Sequence, residues 1–150
     1  MAGILLNNGS LTDKAQQLAN TIIGETPQKN GLQDEEILLH DFKLHGISPK
    51  VGLVAALQLI HTGTKMYRKD NTIFAVKKLD PQTAQIHFFT MDTMANFEAL
   101  VKEWLDALRQ SGCKVIYDTV ADQHIAVALQ SAGAQVQQSD NPKFKLKALI

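Results

Sequence analysis

The sequence is poor in the features that would place it outside the cell or in a membrane. It has one cysteine, Cys113, so no disulfide can form within the chain, and this fits a reducing compartment. Its longest apolar run, residues 51–60, is broken by Gly52 and Gln58 and is far shorter than the about 20 residues that a membrane span needs. We therefore expect cytoplasmic synthesis and no membrane partner.

The sequence also lacks an excess of charge of either sign. Fifteen basic and fifteen acidic residues cancel, and the sequence pI is about 7.0. A field that draws a protein to nucleic acid or to an anionic membrane needs such an excess. The start, Met1-Ala2-Gly3, has no basic stretch leading an apolar segment. These patterns argue against nucleic acid as a partner and against a secretory signal.

Helical patterns dominate the first part of the chain. Ser48 followed by Pro49 is typical of a helix start, with serine as the cap and proline at the first helical position. Asp34 as cap and Gly46 as terminator favour a helix between them. The sequence thus predicts a short strand at 4–6 and helices at about 11–23, 34–45 and 48–61.

Short strand-forming segments separated by turns follow from residue 64 onward. They predict strands at 65–68, 72–79, 83–90 and 113–120, helices at 93–110 and 122–132, and a final hairpin of 135–139 with 143–150. In the last strand apolar residues alternate with Lys143, Lys145 and Lys147. This alternation predicts one buried (dry) face and one solvent-exposed (wet) face. The lysines would also discourage pairing with another strand at a sheet edge. The whole chain, 1–150, is predicted to be a single α/β domain.

This order of elements resembles the fold of the GCN5-related N-acetyltransferases (GNAT), most clearly over residues 85–134. The resemblance implies a mixed, mostly antiparallel central sheet flanked by helices. In that family a glycine-rich loop, commonly Q/R-x-x-G-x-G/A, opens the helix after the central strand and binds the coenzyme pyrophosphate through backbone N–H groups. Here the corresponding residues, 89–97, contain no glycine and no basic residue but do contain Asp92. A carboxylate at this place would repel a pyrophosphate.

The last helix also lacks most of the residues that are typical of the family at this place. Its pattern, N-x-x-A-x-x-x-Y-x-x-x-G-F, places Asp122 at the asparagine, Ile125 at the alanine and Leu129 at the tyrosine, and only Gly133 is kept. In many members that tyrosine protonates the departing thiolate, and leucine has no proton to give. The resemblance therefore implies the fold without two of its usual chemical features.

The chain is also similar to GNAT-like bacteriophage proteins with eroded coenzyme loops, including internal virion proteins of short-tailed phages. The similarity lies in residues 88–92, 97–108 and 124–134. It implies a non-catalytic, virion-associated structural, assembly or accessory module that acts by protein–protein contacts. Its partners would be other virion proteins or copies of itself, joined through residues 135–150, in the host cytoplasm or the virion. This interpretation assigns no catalytic residue, no cofactor and no metal.

Two alternatives remain open from the sequence. A divergent acetyl-CoA-dependent N-acetyltransferase could hold its coenzyme in a wedge between the central strand and strand 113–120. Backbone amides at Thr93, Met94 and Ala95 would then take the phosphates, and Glu98 or Tyr117 would carry protons. The other alternative is a small inhibitor of a host protein.

Several further residues have side chains that could bind a metal, act in catalysis or line the wedge. Histidine spacing does not favour a metal site. Cys113 is predicted to be a buried structural residue, and Trp104 to lie in the core. Asp118, Asp122 and His124 could form an acid–base cluster, although Asp122 is more simply a helix cap. Met91, Met94 and Phe97 are expected to reach toward the wedge.

Overall fold

A computed structural model describes residues 32–150, in which four helices and six strands alternate. The predicted strand at 4–6 and helix at 11–23 lie outside the described residues. The helices are α1 (Asp34–Leu44), α2 (Pro49–His61), α3 (Met94–Gln110) and α4 (Gln123–Ser131), and the strands are β1 (Lys65–Lys69), β2 (Thr72–Asp80), β3 (Thr83–Thr90), β4 (Val115–Asp118), β5 (Gln135–Gln138) and β6 (Leu146–Leu149).

Side-chain caps fix three of the four helix starts where the sequence predicts them. Ser48 accepts the Val51 N–H at 3.4 Å, Thr93 accepts the Asn96 N–H at 3.3 Å, and Asp122 accepts the His124 N–H at 2.9 Å. Each bond satisfies a backbone donor that the first helical turn leaves without an intrahelical partner. The cap of α1 is Gln33 and not Asp34, which lies within the helix.

The six strands form one mixed sheet in the order β1-β2-β3-β4-β6-β5. Two-residue connections join β1 to β2 and β2 to β3, which is too short for a parallel crossover, so these neighbours are antiparallel. β3 and β4 are parallel, whereas β6 is antiparallel to both β4 and β5. The predicted α/β class with a mixed, mostly antiparallel sheet is confirmed.

The position predicted for the last strand is wrong in two respects. β6 begins at Leu146 and not at residue 143, and it lies between β4 and β5, so it is an interior strand. The edge strand of this hairpin is β5. The dry face is confirmed for Leu146 and Ala148, which are buried. Lys147 on the other face is half-buried, and its ammonium group donates to Asp140 at 3.1 Å.

By backbone proximity the described chain divides into two compact units. The first comprises residues 32–75 and 89–91, and the second comprises residues 76–88 and 92–150. In the first unit α1 and α2 pack closely, since a Cβ added to Gly52 would lie 2.4 Å from Cδ2 of Phe42. The core of the first unit consists of Ile37, Leu38, Phe42, Leu53, Ala56, Leu57, Met66, Ile73, Ala75 and Phe89.

The second unit has its own core, built from α3, α4, β3, β4 and β6. One face of α3 is buried through Phe97, Leu100, Val101 and Leu105, as the helical spacing predicts. Other buried members are Ala84, Ile86, Phe88, Ile116, Ile125, Ala128, Leu129, Leu146 and Ala148. Among residues 32–150, no helix is both long and apolar enough to cross a bilayer.

Candidate functional site

The two parallel strands of the sheet share only a short ladder. β3 and β4 are paired from Thr83 opposite Val115 to Gln85 opposite Tyr117. β4 ends at Asp118, one residue beyond the ladder, while β3 continues to Thr90. The carboxyl ends of parallel strands are common ligand-binding places in α/β sheets. The acetyltransferase alternative places its coenzyme wedge at this end of the ladder.

His87 and Asp118 bridge the two strands just beyond their ladder. The Nδ1 atom of His87 lies 2.8 Å from Oδ2 and 3.1 Å from Oδ1 of Asp118. The Asp118 side chain is fully buried, and the His87 side chain is 16% exposed. The backbone N–H of Val120 also donates to Oδ1 of Asp118, at 3.2 Å. The carboxylate is therefore held between a ring nitrogen and a backbone donor.

This geometry defines which nitrogen of His87 can do chemistry. A carboxylate accepts hydrogen bonds, so the contact with Asp118 assigns the ring proton to Nδ1 of His87. Nε2 is then the nitrogen through which the ring would exchange a proton. A buried carboxylate that orients a histidine in this way is the arrangement that positions general bases in many enzymes.

An aromatic cluster surrounds Phe88, the next residue of β3, whose side chain points to the opposite face of the sheet from His87. Phe88 meets Phe97 edge to face at a centroid distance of 5.5 Å, and Trp104 lies 5.8 Å from the same ring. Phe97 is fully buried, Met94 is half-buried and Met91 is 39% exposed. The side chains that meet between β3 and β4 are those of His87 and Asp118, and these are not the residues predicted to reach the wedge.

The start of α3 is the predicted phosphate site of the acetyltransferase alternative. Thr93 and Ala95 are exposed there, and the Thr93 hydroxyl is occupied as the cap of the Asn96 N–H. Helix starts attract anions through their backbone N–H groups. Asp92 directly precedes the cap, however, and its carboxylate opposes the binding of a pyrophosphate.

Tyr117, a predicted proton carrier, is directed to the connection between β5 and β6. Its hydroxyl donates to Oδ1 of Asp140 at 3.0 Å, and its ring stacks on Phe144 at a centroid distance of 5.0 Å. Partial burial, followed by the bond to Asp140, raises the pKa of the Tyr117 phenol above its ordinary value of 10.0. Tyr117 therefore keeps its proton at neutral pH. Glu98, the other predicted carrier, is a half-buried residue of α3.

The structure separates the other predicted acid–base residues. Asp118 bonds to His87, whereas Asp122 caps α4. The Nδ1 atom of His124 lies 3.5 Å from Asp122, and the His124 side chain is 77% exposed. The predicted cluster of Asp118, Asp122 and His124 is therefore replaced by the His87–Asp118 pair.

Cys113 is buried, as predicted. Its Sγ donates to the Val115 carbonyl at 3.4 Å, and burial raises the pKa of the thiol above its ordinary value of 9.0. A raised pKa disfavours the thiolate that a nucleophile needs. Leu129, at the position of the family's tyrosine, is completely buried.

Sequence reasoning missed His87, although a signal was present. His87 interrupts the apolar run Ile86, Phe88 and Phe89 in a strand that is otherwise suited to burial. An ionisable side chain in such a strand requires a partner. The partner, Asp118, could not be chosen without the register between β3 and β4.

Comparisons with known proteins give distant similarities only. No family model matches the chain, and no curated protein matches it. Among solved structures it is similar to the Campylobacter jejuni N-acetyltransferase PseH in complex with acetyl coenzyme A, with 11% identity, a TM-score of 0.48, and coverage of 98% of this chain and 94% of PseH. It is also similar to the microcin C7 self-immunity acetyltransferase MccE, with 10% identity, a TM-score of 0.43, and coverage of 81% of this chain and 94% of MccE. Similarity at this level does not fix an activity.

Proposed function

We propose that this chain is a GNAT-like domain without acetyltransferase activity that acts through protein–protein contacts. The observation that carries the proposal is the His87–Asp118 pair, which joins β3 and β4 just beyond their ladder, where the wedge would have to open. The GNAT resemblance places the coenzyme in this wedge. A coenzyme that separated the pair would leave the fully buried Asp118 without its ring partner, and breaking a buried pair typically costs about 3–5 kcal/mol.

Two further features support a domain that does not use acetyl-CoA. The start of α3 carries Asp92 beside the place where a pyrophosphate would bind, and residues 89–97 contain neither a glycine nor a basic residue. Leu129 is a buried core residue at the position of the family's proton donor. These positions serve packing and solubility instead of phosphate binding and proton transfer.

The segment from α1 to α2 offers a surface for protein contacts. It carries four exposed apolar side chains, of which Leu44 is 63% and Val51 is 62% exposed, together with Ile47 and Leu59. Single exposed apolar residues are ordinary, but several in one short segment are typical of interaction surfaces. We propose virion proteins of a bacteriophage as the partners, and this choice rests only on the resemblance of residues 88–92, 97–108 and 124–134 to phage proteins.

Coenzyme binding tests the proposal most directly. We expect calorimetric titration of acetyl-CoA into the purified chain to show no binding. PseH, which was crystallised with acetyl coenzyme A, serves as the positive control. Micromolar affinity of this chain for acetyl-CoA would contradict the proposal.

The proposed partners are tested in particles. We expect mass spectrometry to find the chain in purified phage particles made from the genome that encodes it. Val51→Glu should reduce its incorporation, because a charge would enter the apolar surface. Lys50→Glu, at the neighbouring exposed position, is the matched control and should incorporate normally. Absence of the natural chain from the particles would contradict virion proteins as partners and would favour the alternative of an inhibitor of a host protein.

A second function is favoured by the same pair of residues. In a divergent N-acetyltransferase, Nε2 of His87 would accept the proton of the attacking amine, and Asp118 would stabilise the charged ring. Tyr117 would supply a proton, and the amides of Thr93, Met94 and Ala95 would take the phosphates. Transfer of labelled acetyl groups to amines, lost in both Asp118→Asn and Tyr117→Phe, would support this function. Inactivity on a broad amine panel would leave it without support.

A further inference from the structure

The two outer strands of the sheet differ in charge. β1 and β5 are the first and last strands in the sheet order. β1 carries Lys65, Arg68 and Lys69 among its five residues, and charges of one sign on an edge strand prevent it from pairing with another copy. β5 has the sequence Gln-Val-Gln-Gln, without charge or proline. Within residues 32–150, β6 is its only sheet neighbour, so the outer edge of β5 can accept a further strand.

The sequence of β5 also selects the strand that fits this edge. Gln135-Val136-Gln137 reads the same in both directions. When two identical strands pair antiparallel about a twofold axis, residues at equal distances from the axis face each other on the same side of the sheet. With the axis at Val136, valine faces valine, and Gln135 faces Gln137 of the other copy. Each carboxamide can then donate to and accept from its counterpart.

We propose that two copies of this chain associate through their β5 strands, antiparallel and centred on Val136. The proposal rests on the proposed function, because it names one partner of a domain that acts by protein contacts. The neighbouring side chains permit it: Lys147, which is opposite Gln137 on β6, is neutralised by Asp140. A pairing of such short strands is a small interface, so the dimer forms weakly and its population depends on concentration.

Two variants with almost the same composition test the register. Both carry Gln137→Glu, whose carboxylate would lie near Lys147 in the single chain. One also carries Gln135→Glu, which sets like charges opposite each other at both pairs. The other carries Gln135→Lys, which sets opposite charges there. Gln135 is exposed, so the two variants should fold alike.

Sedimentation velocity over a range of concentrations gives the readout. We expect the natural chain to pass from monomer to dimer as the concentration rises. The Gln135→Glu/Gln137→Glu variant should stay monomeric throughout, and the Gln135→Lys/Gln137→Glu variant should dimerise at a lower concentration than the Glu/Glu variant. A natural chain that is monomeric at every concentration, or two variants with the same dimer fraction, would overturn the proposal.

Two controls keep the outcome interpretable. Circular dichroism melting shows whether both variants fold. If one of them does not fold, disulfide crosslinking of Val136→Cys replaces the charge variants. The thiols that Val136→Cys introduces into two copies would meet at the twofold axis and form a disulfide, whereas the thiols of Gln138→Cys would not meet. Equal crosslinking of Val136→Cys and Gln138→Cys would overturn the proposed register. Acetyl-CoA titration of the same samples separates the two proposals, because a monomer that binds no coenzyme overturns only the dimer, and a dimer that binds it overturns only the proposed function.

Discussion

Two carboxylates of the second unit hold ring side chains at nearly the same distance but in different surroundings. Asp118 lies 2.8 Å from Nδ1 of His87 and is fully buried. Asp140 accepts the Tyr117 hydroxyl at 3.0 Å, and its side chain is 65% exposed. Water and salt screen the second interaction, whereas the first is made in a medium where an unpartnered charge is costly. Burial, and not distance, decides which of the two pairs matters for stability and for chemistry.

Removal of the histidine should have the largest effect. His87→Ala leaves the buried Asp118 carboxylate without its ring donor, and we expect the free energy of unfolding to fall by about 3–5 kcal/mol. Urea denaturation measures it. His87→Gln is the matched control, because its amide can still donate to Asp118 and should recover part of the loss. Equal losses in the two variants would show that the hydrogen bond is not the cause.

Neutralising the carboxylate while keeping its shape should have a smaller effect. Asp118→Asn retains an oxygen that can accept the Val120 N–H but replaces a charged hydrogen bond to His87 by a neutral one. We expect a loss of about 1 kcal/mol in the free energy of unfolding. The same denaturation experiment tests it. A loss as large as that of His87→Ala would mean that the charge itself, and not the bond, stabilises the site.

At the exposed Tyr117–Asp140 pair, we expect a change in the pKa of the Tyr117 phenol. Burial and the bond to Asp140 both raise the pKa of the Tyr117 phenol. Asp140→Asn should therefore lower this pKa toward 10.0 without reaching it, because partial burial remains. Ultraviolet titration of the phenol measures it, with Tyr67→Phe as the background that removes the other tyrosine. An unchanged pKa would show that Asp140 does not bond to Tyr117 in solution.

The pH dependence of stability should show the smallest effect. Bonds from Lys147 and Tyr117 lower the pKa of Asp140 below 3.8, so its contribution is present at neutral pH and is lost as pH falls through that pKa. The bond to Asp140 raises the pKa of Lys147 above 10.5, so this contribution is lost as pH rises through it. Thermal melting of the natural chain and of Asp140→Asn should differ slightly at pH 7 and converge at both extremes. A difference that persists in strong acid would contradict this assignment.

Local chemistry predicted the elements within residues 32–150 well. Ser48, Thr93 and Asp122 cap the helices that the sequence assigns to them, because a cap depends on residues within one turn. β3 occupies the predicted residues 83–90. The last strand was misplaced in the sheet because strand order depends on contacts between distant segments, and a strand with alternating lysines has the same sequence pattern at an edge and in the interior of a sheet.

The candidate site was predicted less well for the same reason. The sequence predicted roles for Tyr117, Glu98 and the start of α3, because these residues lie close in sequence to the strands that would form the wedge. It did not connect His87 with Asp118, which are separated by a whole helix. Only the three-residue ladder between β3 and β4 brings the two side chains together.

By itself, the sequence determined the kind of elements, their order and most of their ends, since these depend on periodicity, turn residues and caps within a few neighbouring positions. It also determined that Asp92 and Leu129 stand where the resemblance would require phosphate-binding and proton-donating groups. Within residues 32–150, the tertiary structure decided that β5 and not β6 is the outer strand of its hairpin, and that His87 and Asp118 meet between the parallel strands. Both depend on register and burial, which arise only when distant segments pack together.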